Sequence, residues 1–128
     1  MSRDIRHLGP DMEKALTRAV NELTLAVNEK LVETTPVDTG YARASWIPSV
    51  GSPSSATGGS ESAPSSAAAT SGQAQVATNP DLRRTLHITN NVDYIQKLND
   101  GSSSQQPALF VERAIMDGVV KFNGRVIR

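Results

Sequence analysis

A 33-residue stretch of low complexity, residues 48–80, divides the chain into two patterned blocks. Of these 33 residues, 27 are Ser, Ala, Gly, Pro or Thr, and the only charged residue is Glu61. Such a segment cannot offset its ordering entropy through its own contacts, so it is predicted to be a flexible arm or the tip of a long hairpin. The two flanking blocks must then build one body together, and residues 1–128 are predicted to form a single domain.

The bulk composition narrows the class of protein. The chain has 13 basic and 13 acidic residues and no cysteine. Balanced charge argues against a dedicated nucleic-acid binder, and the lack of cysteine excludes disulfides and thiolate metal sites. No apolar run approaches the roughly 18 residues that span a bilayer, and Met1–Asp4 lacks the apolar character of a secretory signal, so no membrane contact is expected. Five aromatic residues predict a thin core that relies on neighbouring subunits.

An apolar stripe in the first block predicts a long amphipathic helix from Pro10 to Glu33. Its members recur every three or four residues: Met12, Leu16, Val20, Leu23, Val27 and Leu31. This spacing places them on one face of an α-helix, and Pro36 limits how far the helix can continue. Core packing is the main interpretation of the stripe, and an exposed subunit interface along part of it is the alternative.

The segments on either side of residues 48–80 predict two strands that pair with each other. Tyr41–Val50 and Asp81–Asn90 both show partial alternation of apolar and polar residues. A short helix containing Val92 and Leu98 is then expected to end at Gly101.

A second amphipathic pattern predicts a final helix that opens at Pro107 and ends at Gly124, followed by a short tail or edge strand. Its expected buried stripe consists of Val111, Ala114 or Ile115, Val119 and Phe122. The predicted fold class is therefore α+β, with a long N-terminal helix and a C-terminal helix packed on a small antiparallel sheet that carries a long hairpin or arm insertion.

The triplet Asp38-Thr39-Gly40 has the sequence of the catalytic motif of retroviral-type aspartic proteases, in which two carboxylates share a proton across a dimer. In that class the triplet follows an apolar strand, whereas here it follows a helix end and a Thr-Thr-Pro segment. The protease therefore stays a remote alternative. The structural interpretation is a turn of Pro36, Asp38, Thr39 and Gly40, in which Asp38 caps backbone amides and Gly40 adopts a conformation that other residues resist.

No other pattern indicates catalysis or a bound group. His7 and His87 have no companions at metal-ligand spacing, and Gly58-Gly59 is not followed by the Lys-Ser/Thr of a phosphate loop. The sequence therefore predicts no enzyme, no catalytic residue, no cofactor and no metal.

Three short sequence motifs and one glycine resemble those of a known family. Thr35–Gly40, Ile88–Tyr94, Gly101 and Gln106–Ala114 occur in the order and spacing typical of the HK97 gp10-like family of tailed-phage head–tail joining, neck or tail-completion proteins. Together they cover most of the chain outside residues 48–80. The chain departs from the family in two respects: the residue before Gly101 is Asp instead of the frequent Glu, and the insertion is longer than the family's usual hairpin connection.

The resemblance implies a structural virion protein that forms a ring in the neck, between the head or portal side and the tail, along the path of genome ejection. A tail-terminator or minor tail protein is the alternative within this class, and a soluble adaptor or antitoxin-like module is one outside it. The implied partners are further copies of the chain and other neck and tail proteins, with non-specific proximity to DNA in the lumen left open. The implied location is the virion neck or tail, after assembly in the host cytoplasm.

Closed rings join one patch of a subunit to a different patch of the next, and helix Pro10–Glu33 and segment 48–80 are expected to supply these two patches. The candidate interface residues are Met12, Leu16, Val20, Leu23, Val27, Trp46, Tyr94 and Phe110.

Overall fold

A computed structural model of the chain describes residues 5–36, 40–102 and 109–127. The elements are α1 Ile5–Thr34, α2 Tyr41–Ala44, β1 Trp46–Val50, α3 Ala67–Ala77, β2 Leu86–Asn90, α4 Ile95–Lys97, a π-helical turn at Leu98–Ser102, and α5 Phe110–Ile127. The two strands form one small antiparallel sheet, and α1 packs on α5, on α3 and on this sheet. The predicted α+β class is confirmed.

Helix α1 exceeds its predicted bounds at both ends, and Pro10 lies inside it. A proline this near the helix start removes only one backbone bond, to the carbonyl of Arg6, so the helix tolerates it. Only the C-terminal part of the predicted stripe is fully buried, where Val27 and Leu31 form a core cluster with Trp46 and Ala114.

The predicted strand Tyr41–Val50 is wrong in its first half, because Tyr41–Ala44 form one helical turn, α2. Gly40 enters this turn with φ of 83°, in the left-handed region that favours glycine. The hydroxyl of Ser45 donates to the carbonyl of Tyr41 at 2.7 Å and ends the turn.

The predicted turn of Pro36, Asp38, Thr39 and Gly40 is described only at its two ends. Pro36 is buried, while Asp38 and Thr39 lie outside the described residues.

The second predicted strand is shorter than expected and begins at Leu86. Before it, the Asp81 carboxylate accepts a hydrogen bond from the backbone N–H of Arg83 at 2.9 Å, which holds this segment as a turn. The predicted pairing of the two strands is confirmed, with Trp46 opposite Asn90 and Val50 opposite Leu86.

The insertion between the strands contains a packed helix, so the flexible-arm interpretation is wrong for residues 67–77. Helix α3 lies on β1 and on α1, and buries Ala69, Gly72 and Val76. A Cβ added to Gly72 would lie only 2.0 Å from the Pro48 carbonyl oxygen. Small residues thus allow a close helix–strand approach, and contacts with the rest of the body offset the ordering entropy that the segment cannot offset alone.

The short helix after β2, α4, ends at Lys97 and continues into the π-helical turn Leu98–Ser102. The backbone leaves the helical region at the predicted residue, Gly101, where φ is 97°. Here Ala42, Val92, Leu98 and Phe110 form a second core cluster.

Helix α5 continues past Gly124 to Ile127, so the predicted helix end and edge strand are wrong. The predicted start at Pro107 lies outside the described residues. Of the predicted stripe, Ala114 is fully buried, but Ile115 and Val119 are exposed.

Helices α1 and α5 run antiparallel. Ala114 clusters with Leu31 and Val27, and one turn later a Cβ on Gly118 would lie 2.6 Å from the Cα of Val27. The start of α5 therefore lies near the end of α1.

Candidate assembly surfaces

The N-terminal part of α1 presents an unpartnered apolar face, consisting of Met12, Leu16 and Val20 and called the α1 face below. These side chains are between 39% and 56% exposed, and their four-residue spacing aligns them on one side of the helix. Val27 of α1 lies beside Gly118 of α5. From this contact, α1 extends about 22 Å back to Met12, whereas α5 extends only about 14 Å to Ile127. Because the helices are antiparallel, α1 projects beyond Ile127 of α5, and the stripe continues at Leu16 and Met12, where no element among the described residues covers it.

The opposite side of this part of α1 is held by the segment that follows α3. The Nδ2 of Asn21 donates to the Asn79 carbonyl at 2.9 Å, and the Nδ2 of Asn79 donates to the Asn21 Oδ1 at 3.3 Å. The Arg83 guanidinium pairs with the Glu13 carboxylate at 3.2 Å. The α1 face is therefore presented by a helix that is anchored on its other side.

Helix α5 presents a second apolar face, consisting of Ile115, Met116, Val119 and Val120 and called the α5 face below. These side chains are between 36% and 67% exposed. They lie on the side of the helix away from Ala114 and Gly118, which contact α1. Asn123, also exposed, follows one turn later on the same side.

A groove of about 560 Å³ lies between α1 and α3 and is called the α1–α3 groove below. Its apolar lining consists of Leu25, Val32, Ala74 and Ala77. Asn28 also lines it, is only 1% exposed, and has no hydrogen-bond partner for its buried Oδ1. Leaving such a carbonyl unpaired costs about 1–3 kcal/mol. Because the oxygen is itself buried, it is an internal unsatisfied acceptor behind the groove wall.

Two glutamates line the same groove, and both are paired within the chain. The Glu29 carboxylate contacts the Lys121 ammonium at 2.8 Å, and the Glu33 carboxylate contacts the Lys30 ammonium at 3.2 Å. The groove therefore does not present two free negative charges, and its other polar lining residues are Asn28, Thr70 and Gln73.

The structure divides the predicted interface residues into three groups: exposed, partly packed and buried in the core. Met12, Leu16 and Val20 are exposed, while Leu23 and Tyr94 pack partly against the core clusters.

Val27, Trp46 and Phe110 were predicted at the interface but lie in the core. The indole N–H of Trp46 donates to the Thr35 hydroxyl oxygen at 2.7 Å, so the only polar group of this buried side chain has a hydrogen-bond partner. These three side chains are not available to another subunit.

Sequence reasoning missed the α5 face, although the helix carries a signal for it. Apolar residues occupy more of α5 than one buried stripe requires, since Met116 and Val120 fall outside the stripe of Ala114 and Gly118. A helix that is apolar on two sides has a second surface to cover.

Other kinds of site are not found in the described ranges. Among residues 5–36, 40–102 and 109–127, no three His, Asp or Glu side chains lie close enough together to hold a metal ion. Within the same part of the chain, no helix is both long and apolar enough to cross a membrane.

Neither a protein-family model, nor a curated protein, nor a solved structure matches this chain. Its function is therefore inferred from its own residues and surfaces.

Proposed function

We propose that the protein is a structural component of the neck of a tailed bacteriophage, which forms a ring of identical copies between the head or portal side and the tail. The observation that carries this proposal is the presence of two unpartnered apolar faces, the α1 face and the α5 face, on different helices of one small body. Exposed apolar patches of this kind are typical of protein–protein contact sites. A ring layer needs separate surfaces for its own copies and for the layers above and below it.

The order of elements also supports the proposal. A long first helix, two paired strands separated by α3, a turn that contains Gly101 and a final helix follow each other along the chain. The sequence motifs that resemble the HK97 gp10-like family occur, along the chain, where one of these elements ends or the next begins. Gly101 adopts φ of 97°, which accounts for a glycine at that point of the pattern.

The charge balance favours a passive role over nucleic-acid binding, since the chain has 13 basic and 13 acidic residues. In the basic pair Arg83-Arg84, the exposed Arg83 side chain contacts the carboxylates of Glu13 and Asp81 at 3.2 Å and 3.5 Å, so part of its charge is matched within the chain.

The proposal is tested by deleting the gene from the phage and imaging the particles that form. We expect filled heads and complete tails that do not join, with joining restored when the protein is supplied in trans. Tails of uncontrolled length would instead identify a tail terminator. Normal infectious particles would refute a neck function.

A further inference from the structure

We propose that a cavity near the C-terminal end of α1 binds the guanidinium group of an arginine, and that Arg18 of a second copy of the chain supplies this group. The cavity has a volume of about 300 Å³ and is called the tyrosine pocket below. Tyr41, Tyr94, Glu61, Asp93 and Asn91 are the lining residues that carry the argument. Only the closure of successive copies into a ring rests on the proposed neck function.

The tyrosine pocket offers hydrogen-bond acceptors and negative charge, and no basic side chain lines it among the described residues. The carboxylates of Glu61 and Asp93 are exposed and form no hydrogen bond or ion pair with any residue that the structure describes. The Nδ2 of Asn91 donates to the carbonyls of Ser54 and Ala56 at 2.8 Å and 3.0 Å, which leaves its Oδ1 as an acceptor. A ligand that matches this lining carries positive charge and several donors.

Two half-buried tyrosines favour a guanidinium as this ligand. Tyr41 and Tyr94 line the pocket and also pack against the second core cluster, which fixes their positions. Cations are attracted to the face of an aromatic ring, and arginine makes this contact more often than lysine. The planar guanidinium also carries five donors and pairs well with carboxylates. The carboxylates, the amide oxygen and the rings therefore all favour the same chemical group.

The pocket and Arg18 lie toward opposite ends of α1. Tyr41 belongs to α2, and Arg43 of the same turn donates to the Thr35 carbonyl at 3.1 Å, which holds the pocket at the end of α1. Arg18 lies about 24 Å from Thr34 along the helix, farther than a side chain reaches. Arg18 therefore cannot enter the pocket of its own chain, and the two groups can meet only between copies.

Charge complementarity singles out Arg18 as the donated group. Among the side chains that the structure describes, the basic residues without a hydrogen bond or ion pair are Lys14, Arg18 and Arg84. Arg84 lies against the backbone of Gly51, where an added Cβ would be 2.8 Å from its guanidinium. Lys14 carries a compact ammonium, which matches the pocket less well than a planar guanidinium. Arg18 is exposed on α1.

The contact joins one end of a copy to the other end of its neighbour. Each copy can then receive one arginine and donate another, and such a head-to-tail series closes into a ring when the rotation permits. A single charged side chain in a pocket that is open to water gives a weak contact, since exposed ion pairs contribute little. The contact is therefore expected to add specificity to larger surfaces such as the α1 face and the α5 face.

A small-molecule probe tests the pocket in the isolated protein. N-acetyl-arginine amide is titrated into the protein, and NMR follows the ring signals of Tyr41 and Tyr94. We expect saturable shifts, and at least about tenfold weaker binding of the neutral N-acetyl-glutamine amide. Asp93→Asn and Glu61→Gln should each weaken binding of the arginine probe about three- to tenfold. Asp117→Asn is the matched control, at an exposed carboxylate on α5, and should leave binding unchanged.

Disulfide trapping identifies the source of the arginine, since the chain has no native cysteine. Copies with Ser60→Cys, in the lining of the pocket, are mixed with copies carrying Glu22→Cys, one turn from Arg18, and then oxidised. We expect a mixed dimer, and Asp93→Arg in the first copy should lower its yield about tenfold because like charges then meet. Arg18→Glu in the second copy should restore the yield to within about twofold. Lys14→Glu is the matched control and should not restore it.

Equal binding of the arginine and glutamine probes would overturn the pocket as a guanidinium site. A mixed dimer whose yield is insensitive to Asp93→Arg, or is not restored by Arg18→Glu, would overturn the assignment of Arg18 of a second copy. These outcomes are distinct from failure of the proposed function. Charge-reversal rescue in a protein that is absent from the neck would refute the function alone, whereas a neck protein that does not distinguish the two probes would refute the pocket alone.

Discussion

Thr35 and Trp46 join the end of α1 to the start of β1 through one buried hydroxyl. The Thr35 hydroxyl accepts from the Trp46 indole N–H at 2.7 Å and donates to the Leu31 carbonyl at 2.5 Å. Both residues are buried, so this single oxygen pairs two polar groups that water does not reach. Removing it should leave the indole N–H unpaired inside the core.

We therefore expect Thr35→Val to lower the free energy of unfolding by about 1–3 kcal/mol, measured by denaturant titration with circular dichroism. The control is the same substitution in a Trp46→Phe chain, where no indole N–H is left unpaired and the added loss should be smaller. Equal losses in the two backgrounds would show that the hydrogen bond between the two side chains does not matter.

Two buried glycines set the distances between elements, and a third serves as their control. A Cβ at position 72 would lie 2.0 Å from the Pro48 carbonyl oxygen, and one at position 118 would lie 2.6 Å from the Val27 Cα, whereas Gly9 has no atom within 4 Å of that site. Gly72→Ala and Gly118→Ala should each destabilise the protein by about 1–3 kcal/mol or more because backbone atoms must move.

In contrast, Gly9→Ala should stabilise the protein by about 0.5–1 kcal/mol, since alanine is the better helix former and meets no obstacle in α1. Thermal unfolding of the three variants provides the comparison. A Gly72→Ala protein as stable as the Gly9→Ala protein would contradict the close packing of α3 on β1.

At the level of elements, α3 is the least expected part of the fold. Its composition indicated a flexible arm, yet it covers β1 with a face of Ala69, Gly72 and Val76. Deleting residues 52–76 should therefore expose this strand and destabilise the body, so the segment cannot be treated as a removable arm.

Hydrogen exchange and one substitution pair test whether α3 is packed. Backbone amides of residues 70–77 should exchange much more slowly than those of an unstructured segment, because their opening requires loss of the contact with β1. Val76→Ala, at a fully buried side chain, should cost about 1–3 kcal/mol. Gln75→Ala, at an exposed neighbour, should stay within about 0.5 kcal/mol of the parent. Rapid exchange throughout α3 would restore the flexible-arm interpretation.

The elements themselves were unequally predictable. Two predictions depend only on patterns within one segment: α1, from apolar residues every three or four positions, and the two strands on either side of the insertion. The structure contains α1 and the strand pair. Helix α2 depends on a left-handed Gly40 and on the bond from Ser45 to Tyr41, which alternation along the chain does not reveal.

At the level of the whole molecule, burial along α1 depends on where α5 ends. The α1 face belongs to the same stripe as the buried Val27 and Leu31, but within residues 5–36, 40–102 and 109–127 no element buries it. A charge there should disturb assembly without disturbing the fold.

We expect Leu16→Glu to leave the free energy of unfolding within about 0.5 kcal/mol of the parent, since the side chain is already half exposed. In complementation of a deletion phage, however, the titre should fall by more than tenfold, because burying an unpaired carboxylate in a contact costs several kcal/mol. Lys14→Glu is the matched control on an exposed, different side of the same helix, and should complement. Loss of folding in Leu16→Glu would instead place the α1 face in the core.

The sequence by itself determined the α+β class, the long first helix, the paired strands and the turn at Gly101, because periodicity, prolines and glycines act within a few residues of one another. The tertiary structure alone decided that Trp46 and Phe110 are core residues, that α3 is ordered, and that α1 and α5 each keep an apolar face uncovered. Burial depends on which distant element lies against a residue, and a pattern along one segment does not specify what covers it.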